Sequence, residues 1–275
     1  MGIQGLTSFV LATTLLVAGV STSQDKAYST NDNERHQYNA ERTLSLGWVL
    51  YDGYAPLDFW GPMQILIGAS SSYNITLSII AKSSGPISTL LRKEGKVNNR
   101  ISASMLATHL PEEAPPLDLL MVPGGGGNRG SETDWVVDFV KSRHDVTDYV
   151  ASVCTGSLLL AKATVLDNKI ATTNKAAWST VVAHGTNVSW VPNARWTRTS
   201  NGKLWTSSGV AAGMDMTYAL LSWMYGSINI NKTMNNIELS PHTNPDWDPY
   251  AVVHNVPGAD KTRPLKDLVG PVGFD

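Results

Sequence analysis

Cys154, the only cysteine of the chain, lies where a predicted strand turns into a predicted helix. The segment 149–153 favours a strand, and the small residues Thr155 and Gly156 then open an apolar helix. α/β proteins place reactive side chains at such a corner, on the carboxyl edge of the sheet. Unpaired backbone N–H groups at the start of the helix favour a thiolate over a thiol. The pattern predicts a nucleophile, whereas a lone cysteine without this context more often packs as a small apolar side chain.

A glycine run at 124–127 follows the apolar segment 117–122, so we expect it on the same sheet edge. Because glycine has no Cβ, such a turn lets backbone N–H groups approach a ligand closely. The sequence predicts an oxyanion hole formed by N–H groups near Gly125 or Gly126 and at Thr155. The alternative is a plain flexible turn. The run is not a nucleotide loop, because neither glycine-rich nucleotide-binding motif is complete.

Asp58 stands among apolar residues just after the first predicted strand, in Ala55-Pro56-Leu57-Asp58-Phe59-Trp60-Gly61-Pro62. One interpretation is a carboxylate that complements the dipole at the start of a helix. The other is a carboxylic acid whose pKa is raised by apolar surroundings and which shares a proton with the thiol. The spacing does not choose between these two roles.

The histidines supply no assignable base for the cysteine. None of the six lies at an evident strand end near Cys154, and His144 precedes the Cys154 strand, at the opposite edge of the sheet. No pair has the spacing of a zinc site with suitable partners. We therefore predict no metal site, and no cysteine–histidine dyad is assigned. The histidines are His36, His109, His144, His184, His242 and His254.

Composition sets the class of protein. Of the 275 residues 42% are apolar and 16% charged, which suffices for a packed core. The formal net charge of −2 gives no electrostatic case for binding nucleic acid or an anionic membrane. A single cysteine excludes an internal disulfide.

The amino terminus predicts export. Residues 6–20 are apolar or small, and small residues suited to signal-peptidase cleavage follow, which predicts a signal peptide over 1–23 although the first seven residues contain no Lys or Arg. Three glycosylation sequons, at Asn74, Asn187 and Asn231, agree with this prediction. We expect a secreted or secretory-pathway protein with no membrane attachment after cleavage, while a vacuolar or other internal destination stays open.

Strands alternate with helices between residues 44 and 240, which predicts an α/β sandwich in one domain. The segment 24–43 is polar and aperiodic and predicts a flexible linker, and 241–275 predicts an irregular tail. A hairpin or a pair of short strands is expected within 83–100. The other predicted strands are 44–51, 74–81, 117–122, 149–153, 169–173, 188–191, 196–199 and 204–207, and the predicted helices are 56–70, 132–142, 156–162 and 210–225.

Four motifs together resemble the ThiJ/PfpI superfamily, which is class I glutamine amidotransferase-like. The resemblance covers roughly residues 44–226 and implies a flavodoxin-like three-layer sandwich with a mostly parallel central sheet, a cysteine nucleophile elbow, a homodimer and no cofactor. An aspartate in the Leu-Asp-Phe-x-Gly-Pro setting together with Val-Cys-Thr-Gly resembles the isonitrile hydratase branch rather than the branches with glutamate there. The motifs lie at 57–62, 122–125, 153–157 and 208–215.

The resemblance implies roles for individual residues. Cys154 matches the nucleophile, Asp58 the acid that faces it, and Thr155 and Gly125 the surroundings of the oxyanion pocket. Many members have a histidine after the strand that follows the elbow helix, whereas Asn174 stands there in this chain. This departure weakens protease or amidotransferase interpretations, which need a base next to the thiol.

The leading hypothesis is hydration of a small-molecule isonitrile to an N-substituted formamide. The Cys154 thiolate would attack the terminal carbon while Asp58 delivers a proton and then activates water. Trp60, Trp178 and Asn174 are predicted to line the substrate pocket. Two alternatives stay open: an enzyme acting on α-oxoaldehydes, and a non-catalytic secreted protein that uses the thiol for redox sensing or binding. A DNA-binding regulator lacks support, because no helix-turn-helix pattern follows residue 226.

Overall fold

The structure is a computed structural model that describes residues 23–93, 96–97, 101–263 and 265. Short 3-10 turns occupy 111–113, 126–129, 131–133 and 144–146. Its strands are β1 (Leu44–Val49), β2 (Ile75–Ile80), β3 (Pro86–Ser88), β4 (Arg92–Lys93), β5 (Lys96–Val97), β6 (Ser104–Leu106), β7 (Leu119–Val122), β8 (Tyr149–Ser152), β9 (Ile170–Ala171), β10 (Ser189–Trp190), β11 (Trp196–Arg198) and β12 (Leu204–Ser207). Its α-helices are α1 (Ser23–Ala27), α2 (Asp32–Glu41), α3 (Pro56–Ala69), α4 (Asp134–Arg143), α5 (Gly156–Lys162), α6 (Trp178–Val182), α7 (Val210–Tyr225), α8 (Ser227–Asn236) and α9 (Tyr250–Val253).

A six-stranded sheet forms the centre of the molecule, in the order β11-β12-β8-β7-β1-β2. Every neighbouring pair is parallel except β11-β12. Strands β7, β8 and β12 are buried at every position, as expected where helices cover both faces of a sheet. The predicted α/β fold with a mostly parallel sheet is confirmed.

The helices lie on both faces of this sheet. The connection β1–α3–β2 runs towards one edge and β7–α4–β8 towards the other, so right-handed crossovers place α3 and α4 on opposite faces. Helix α3 contacts α7 and α8, whereas α4 contacts α5. The result is the predicted three-layer, flavodoxin-like sandwich. None of the helices in the described ranges has the length and apolarity needed to cross a bilayer.

The segment 24–43, expected to be a flexible linker, instead forms α1 and α2. The side chain of Asn31 caps α2 by accepting two backbone N–H groups of its first turn. Arg35 is buried, and its Nε donates to the carbonyl of Trp223 near the end of α7 (2.7 Å). Asn39 is also buried and donates to the same helix end. The composition misled the prediction because buried polar groups, which show no apolar periodicity, dock α2 on the domain.

The part of 241–275 that the structure describes is not wholly irregular, since it contains α9. It is also held against the sheet region: the Arg195 N–H donates to the Pro245 carbonyl (2.7 Å), and the Asp248 N–H donates to the Asn193 carbonyl (2.6 Å). The segment predicted as a signal peptide, 1–23, lies outside the described residues apart from Ser23, the first residue of α1. The boundaries at 44 and 240 stay a prediction.

Candidate active site

The corner between β8 and α5 carries Cys154 with φ at 57°, a left-handed conformation that is strained for a residue with a Cβ. Neighbouring side chains hold this conformation in place. The Cys154 carbonyl accepts hydrogen bonds from Ser157 Oγ (3.2 Å) and Thr173 Oγ1 (3.1 Å). The sharp elbow predicted from the sequence is present, and the thiol at its apex is nearly enclosed, with 6% of the residue exposed.

Helix α3 brings Asp58 to this elbow from the end of β1. Pro56 begins the helix, because the missing N–H of proline costs nothing in a first turn. Asp58, two residues later, is fully buried. Its Oδ2 accepts a hydrogen bond from the Gly124 N–H (2.8 Å), and the Cys154 side chain hydrogen-bonds the same carboxyl group. Its Oδ1 has no hydrogen-bond partner among the described residues.

Burial controls the protonation of this pair. It raises the pKa of Asp58 to about 7, although hydrogen bonds from Gly124 and Cys154 lower it. Burial, reinforced by the nearby Asp58 charge, raises the pKa of the Cys154 thiol well above its ordinary value. The geometry therefore favours the second interpretation of Asp58, an acid that shares a proton with the thiol. The predicted resting thiolate is wrong, because desolvation outweighs the dipole of the seven-residue α5.

Asn174 lies on another side of the sulfur. Its Oδ1 accepts the backbone N–H of Ala177 (3.0 Å), so its Nδ2 is the atom left to hydrogen-bond the Cys154 side chain. An amide N–H stabilises a thiolate but does not accept a proton. Asp58 is therefore the proton acceptor that the structure places at the thiol.

The glycine run joins two loops by their backbones. The Gly124 carbonyl accepts the Ala55 N–H (2.9 Å), and Gly127 donates to the Gly53 carbonyl (3.1 Å). A Cβ on Gly124 would lie 2.5 Å from the Thr155 nitrogen and 2.9 Å from Asp58 Oδ2. Glycine is required at 124 because the elbow and the acid meet there.

The expected oxyanion donor at Gly125 is already occupied, because its N–H donates to Thr155 Oγ1 (3.0 Å). The role expected of the Gly126 N–H stays a prediction. The Thr155 N–H does hydrogen-bond the cysteine side chain. A residue that the sequence reasoning missed, Asn128, holds this threonine by donating to its carbonyl (2.8 Å) and its Oγ1 (3.1 Å). Its only sequence signal is its position directly after the glycine run.

Neither of the tryptophans predicted as pocket walls lines the cavity that adjoins Asn174. Trp60 is 42% exposed and packs edge-to-face on Phe59, with 4.8 Å between ring centres. Trp178 packs in a small apolar cluster with Ala251 and Val256. Asn174, the third predicted pocket residue, does line this cavity of about 310 Å³, together with the start of α7 and the C-terminal segment.

Other predicted sites can also be placed. The asparagines of the three sequons, Asn74, Asn187 and Asn231, are all exposed. Across the part of the chain that the structure describes, no three His, Cys, Asp or Glu side chains group in a way that could hold a metal ion.

Comparison with known proteins agrees with these motifs. Residues 48–222 match the DJ-1/PfpI family. The chain is 30% identical over 217 residues to the isonitrile hydratase of Pseudomonas putida, covering 76% of this chain and 87% of that protein. Its fold is similar to that of a ThiJ/PfpI family protein from Pseudomonas syringae (TM-score 0.62, 22% identity, 73% of this chain and 77% of the other). It is also similar to DJ-1beta of Drosophila melanogaster (TM-score 0.58, 18% identity, 72% of this chain and 100% of the other). The resemblance predicted from the sequence is therefore confirmed, and the chain belongs to the DJ-1/PfpI family.

Proposed function

We propose that this protein is a cysteine-dependent isonitrile hydratase, which adds water to an isonitrile to give an N-substituted formamide. The observation that carries the proposal is the buried Cys154–Asp58 pair, in which the thiol hydrogen-bonds a carboxyl group whose pKa burial raises to about 7. Such a pair delivers a nucleophile and a proton to the same carbon atom, which is what the terminal carbon of an isonitrile requires. The 30% identity to the isonitrile hydratase of Pseudomonas putida supports this choice within the family.

In the first step Cys154 Sγ forms a bond to the terminal isonitrile carbon. The thiol proton passes to the Asp58 carboxylate and from there to that carbon, which leaves a thioimidate, R–N=CH–S–Cys. The Thr155 N–H and Asn174 Nδ2 hydrogen-bond the sulfur and stabilise its negative charge while the proton moves.

In the second step Asp58, again a carboxylate, takes a proton from water as the water oxygen attacks the thioimidate carbon. That proton is delivered to the nitrogen. The carbon–sulfur bond then breaks, the hydroxyl proton returns to sulfur through Asp58, and the formamide leaves. One water is consumed, and both side chains regain their starting protonation.

The same geometry weighs against a redox sensor. Peroxide reacts with thiolates, and the raised pKa of Cys154 leaves little thiolate at neutral pH. Asn174 weighs against hydrolysis that needs a second base beside the thiol, because its amide faces the sulfur with a donor.

The test is a substrate panel on the purified protein, containing aliphatic and aromatic isonitriles and methylglyoxal. We expect formamide formation, detected by mass spectrometry, and its loss in Cys154→Ala with an unchanged far-UV circular dichroism spectrum. Turnover of methylglyoxal without turnover of any isonitrile would overturn the proposal. So would a Cys154→Ala variant that hydrates isonitriles at the wild-type rate.

We also propose that the protein enters the secretory pathway and forms a homodimer. The apolar leader in the sequence and the exposed sequon asparagines support the first statement. Exposed Leu57, Trp60 and Ile67 share one face of α3 and support pairing with a second copy. A mobility shift on endoglycosidase treatment of protein from a eukaryotic host tests the first, and light scattering of the purified protein tests the second.

A further inference from the structure

The cavity next to Asn174 lies beside the elbow because of the register of the sheet. β12 and β8 are parallel neighbours with Thr206 opposite Ser152, so both strands end at the same edge of the sheet, β12 leading into Ser208 and β8 into Cys154. A Cβ on Gly209 would lie 3.6 Å from Asn174 Nδ2. The Asn174 side chain in turn hydrogen-bonds the sulfur of Cys154. The start of α7 and the nucleophile therefore meet at one corner of the carboxyl edge.

Two kinds of hydrogen-bond donor line this cavity without a protein partner. Ser208 is 1% exposed, and its hydroxyl has no hydrogen-bond partner in the described part of the chain. Helix α7, 16 residues long, begins after Gly209 with no side-chain cap, and its first residues line the same cavity. Uncapped N–H groups at the start of a long helix attract negative charge, and a buried free hydroxyl adds a donor at the same place.

The cationic side chains of the cavity wall are each paired with a carboxylate. Lys175 Nζ lies 3.8 Å from Asp248 Oδ2, which has no hydrogen-bond partner in the described part of the chain, and donates to the Ala194 carbonyl (2.8 Å). Arg195 is paired with Asp215 at 2.6 Å. The positive potential that remains is that of the N-terminus of α7. Because it amounts to about half an elementary charge, it suits one small anionic group rather than a polyanion.

We propose that this cavity binds a carboxylate and that the preferred substrates are isonitriles whose substituent carries one. The substrate class rests on the proposed function, whereas the carboxylate site does not depend on it. The carboxylate would accept hydrogen bonds from Ser208 Oγ and the first N–H groups of α7, with the isonitrile carbon directed at Cys154.

Alkylation tests the site without any turnover. Iodoacetate and iodoacetamide deliver the same carbon to a thiol and differ in charge, and the chain has a single cysteine to react. We expect the ratio of the iodoacetate rate to the iodoacetamide rate, followed by mass spectrometry, to fall about tenfold in Ser208→Ala, as for the loss of a hydrogen bond to a charged group. Ser222→Ala is the matched control, because it also removes an unpartnered hydroxyl, but one that lies near the far end of α7. This variant should keep the wild-type ratio. A ratio that is unchanged by Ser208→Ala overturns the carboxylate site.

Turnover tests the substrate class. We expect isocyanoacetate to have a kcat/KM at least tenfold above that of methyl isocyanoacetate, with the preference lost in Ser208→Ala. If both are hydrated equally, the substrate class is overturned while the proposed function stands. If neither these compounds nor any other isonitrile is hydrated, the proposed function and the substrate class fail together, and the alkylation ratio alone decides the carboxylate site.

Discussion

Buried acids lie at both ends of β8, in opposite situations. Asp148 stands just before the strand, and Arg42 Nη1 lies 2.7 Å from its Oδ2 and 2.9 Å from Asp118 Oδ1. At the other end, Asp58 meets the thiol of Cys154 and a backbone N–H. Burial raises the pKa of both acids, but at Asp148 the Arg42 guanidinium counteracts it.

The difference is the nature of the partner. A buried carboxylate beside an arginine forms an ion pair and fixes structure, here the junction between α2 and the sheet. A buried carboxyl beside a thiol has no such fixed charge and can exchange a proton near neutral pH. The acid at the amino end of β8 is therefore expected to be structural, and the acid at its carboxyl end to take part in the proposed chemistry.

The largest effect that the comparison predicts is on turnover. Asp58→Asn should lower kcat/KM for an isonitrile by about 10³-fold, because the amide keeps the shape but neither accepts nor delivers the proton. Asp148→Asn should stay within about threefold of wild type, a small change for a group outside the chemistry. Steady-state kinetics on both folded variants decides. An equal loss of kcat/KM in the two variants would mean that turnover depends on having a buried carboxylate and not on proton transfer by Asp58.

The pH profile sharpens the same contrast. Asp58 takes the thiol proton only as a carboxylate, so kcat/KM should fall as the pH decreases through about 7, by about tenfold per pH unit below that value. The same fall of kcat/KM below pH 7 should be seen in Asp148→Asn. An acid limb near the ordinary aspartate pKa would contradict the assignment of Asp58 as the base.

Stability should respond with opposite signs at the two ends. Arg42→Met leaves Asp118 and Asp148 without their cation and should lower the free energy of unfolding by about 3 kcal/mol. Asp58→Asn should raise it at pH 8 by about 2–4 kcal/mol, because the pKa of Asp58 is about 7 when folded against an ordinary 3.8, so ionisation above pH 4 favours the unfolded chain.

Urea denaturation at two pH values separates these effects. The gain from Asp58→Asn should vanish at pH 4, where the carboxyl group is protonated in the folded protein. A gain of the same size at pH 4 would show that packing, and not the buried charge, sets the difference.

Local signals in the sequence were enough for the sheet, the elbow and the position of Asp58. Apolar strands that end in small residues, and a helix that begins with proline, can be predicted from a few neighbouring residues. Strand β12 and helices α5 and α7 were predicted with the bounds that the structure gives them.

What the sequence did not reveal depends on distant contacts. The N–H groups of Gly124 and Gly125 are bonded to residues 66 and 30 positions away, so the sequence could not show that they are occupied. The resting thiolate was wrong for the same reason, since the burial of Cys154 is created by several elements together. Ser208 became a candidate only when its hydroxyl proved to have no partner in the described structure.

The smallest effect concerns the strain at the carboxyl end of β8. Cys154→Gly and Cys154→Ala should both be inactive, but the glycine variant should be more stable by about 1 kcal/mol, because φ at 57° penalises any residue with a Cβ. At exposed Gln64 in the middle of α3 the order should reverse, with alanine more stable than glycine by about 1 kcal/mol. Urea denaturation of the four variants gives both differences. Equal stability of the two Cys154 variants would mean that the elbow stores no strain, and the position of the thiol would then depend on the Ser157 and Thr173 hydrogen bonds alone.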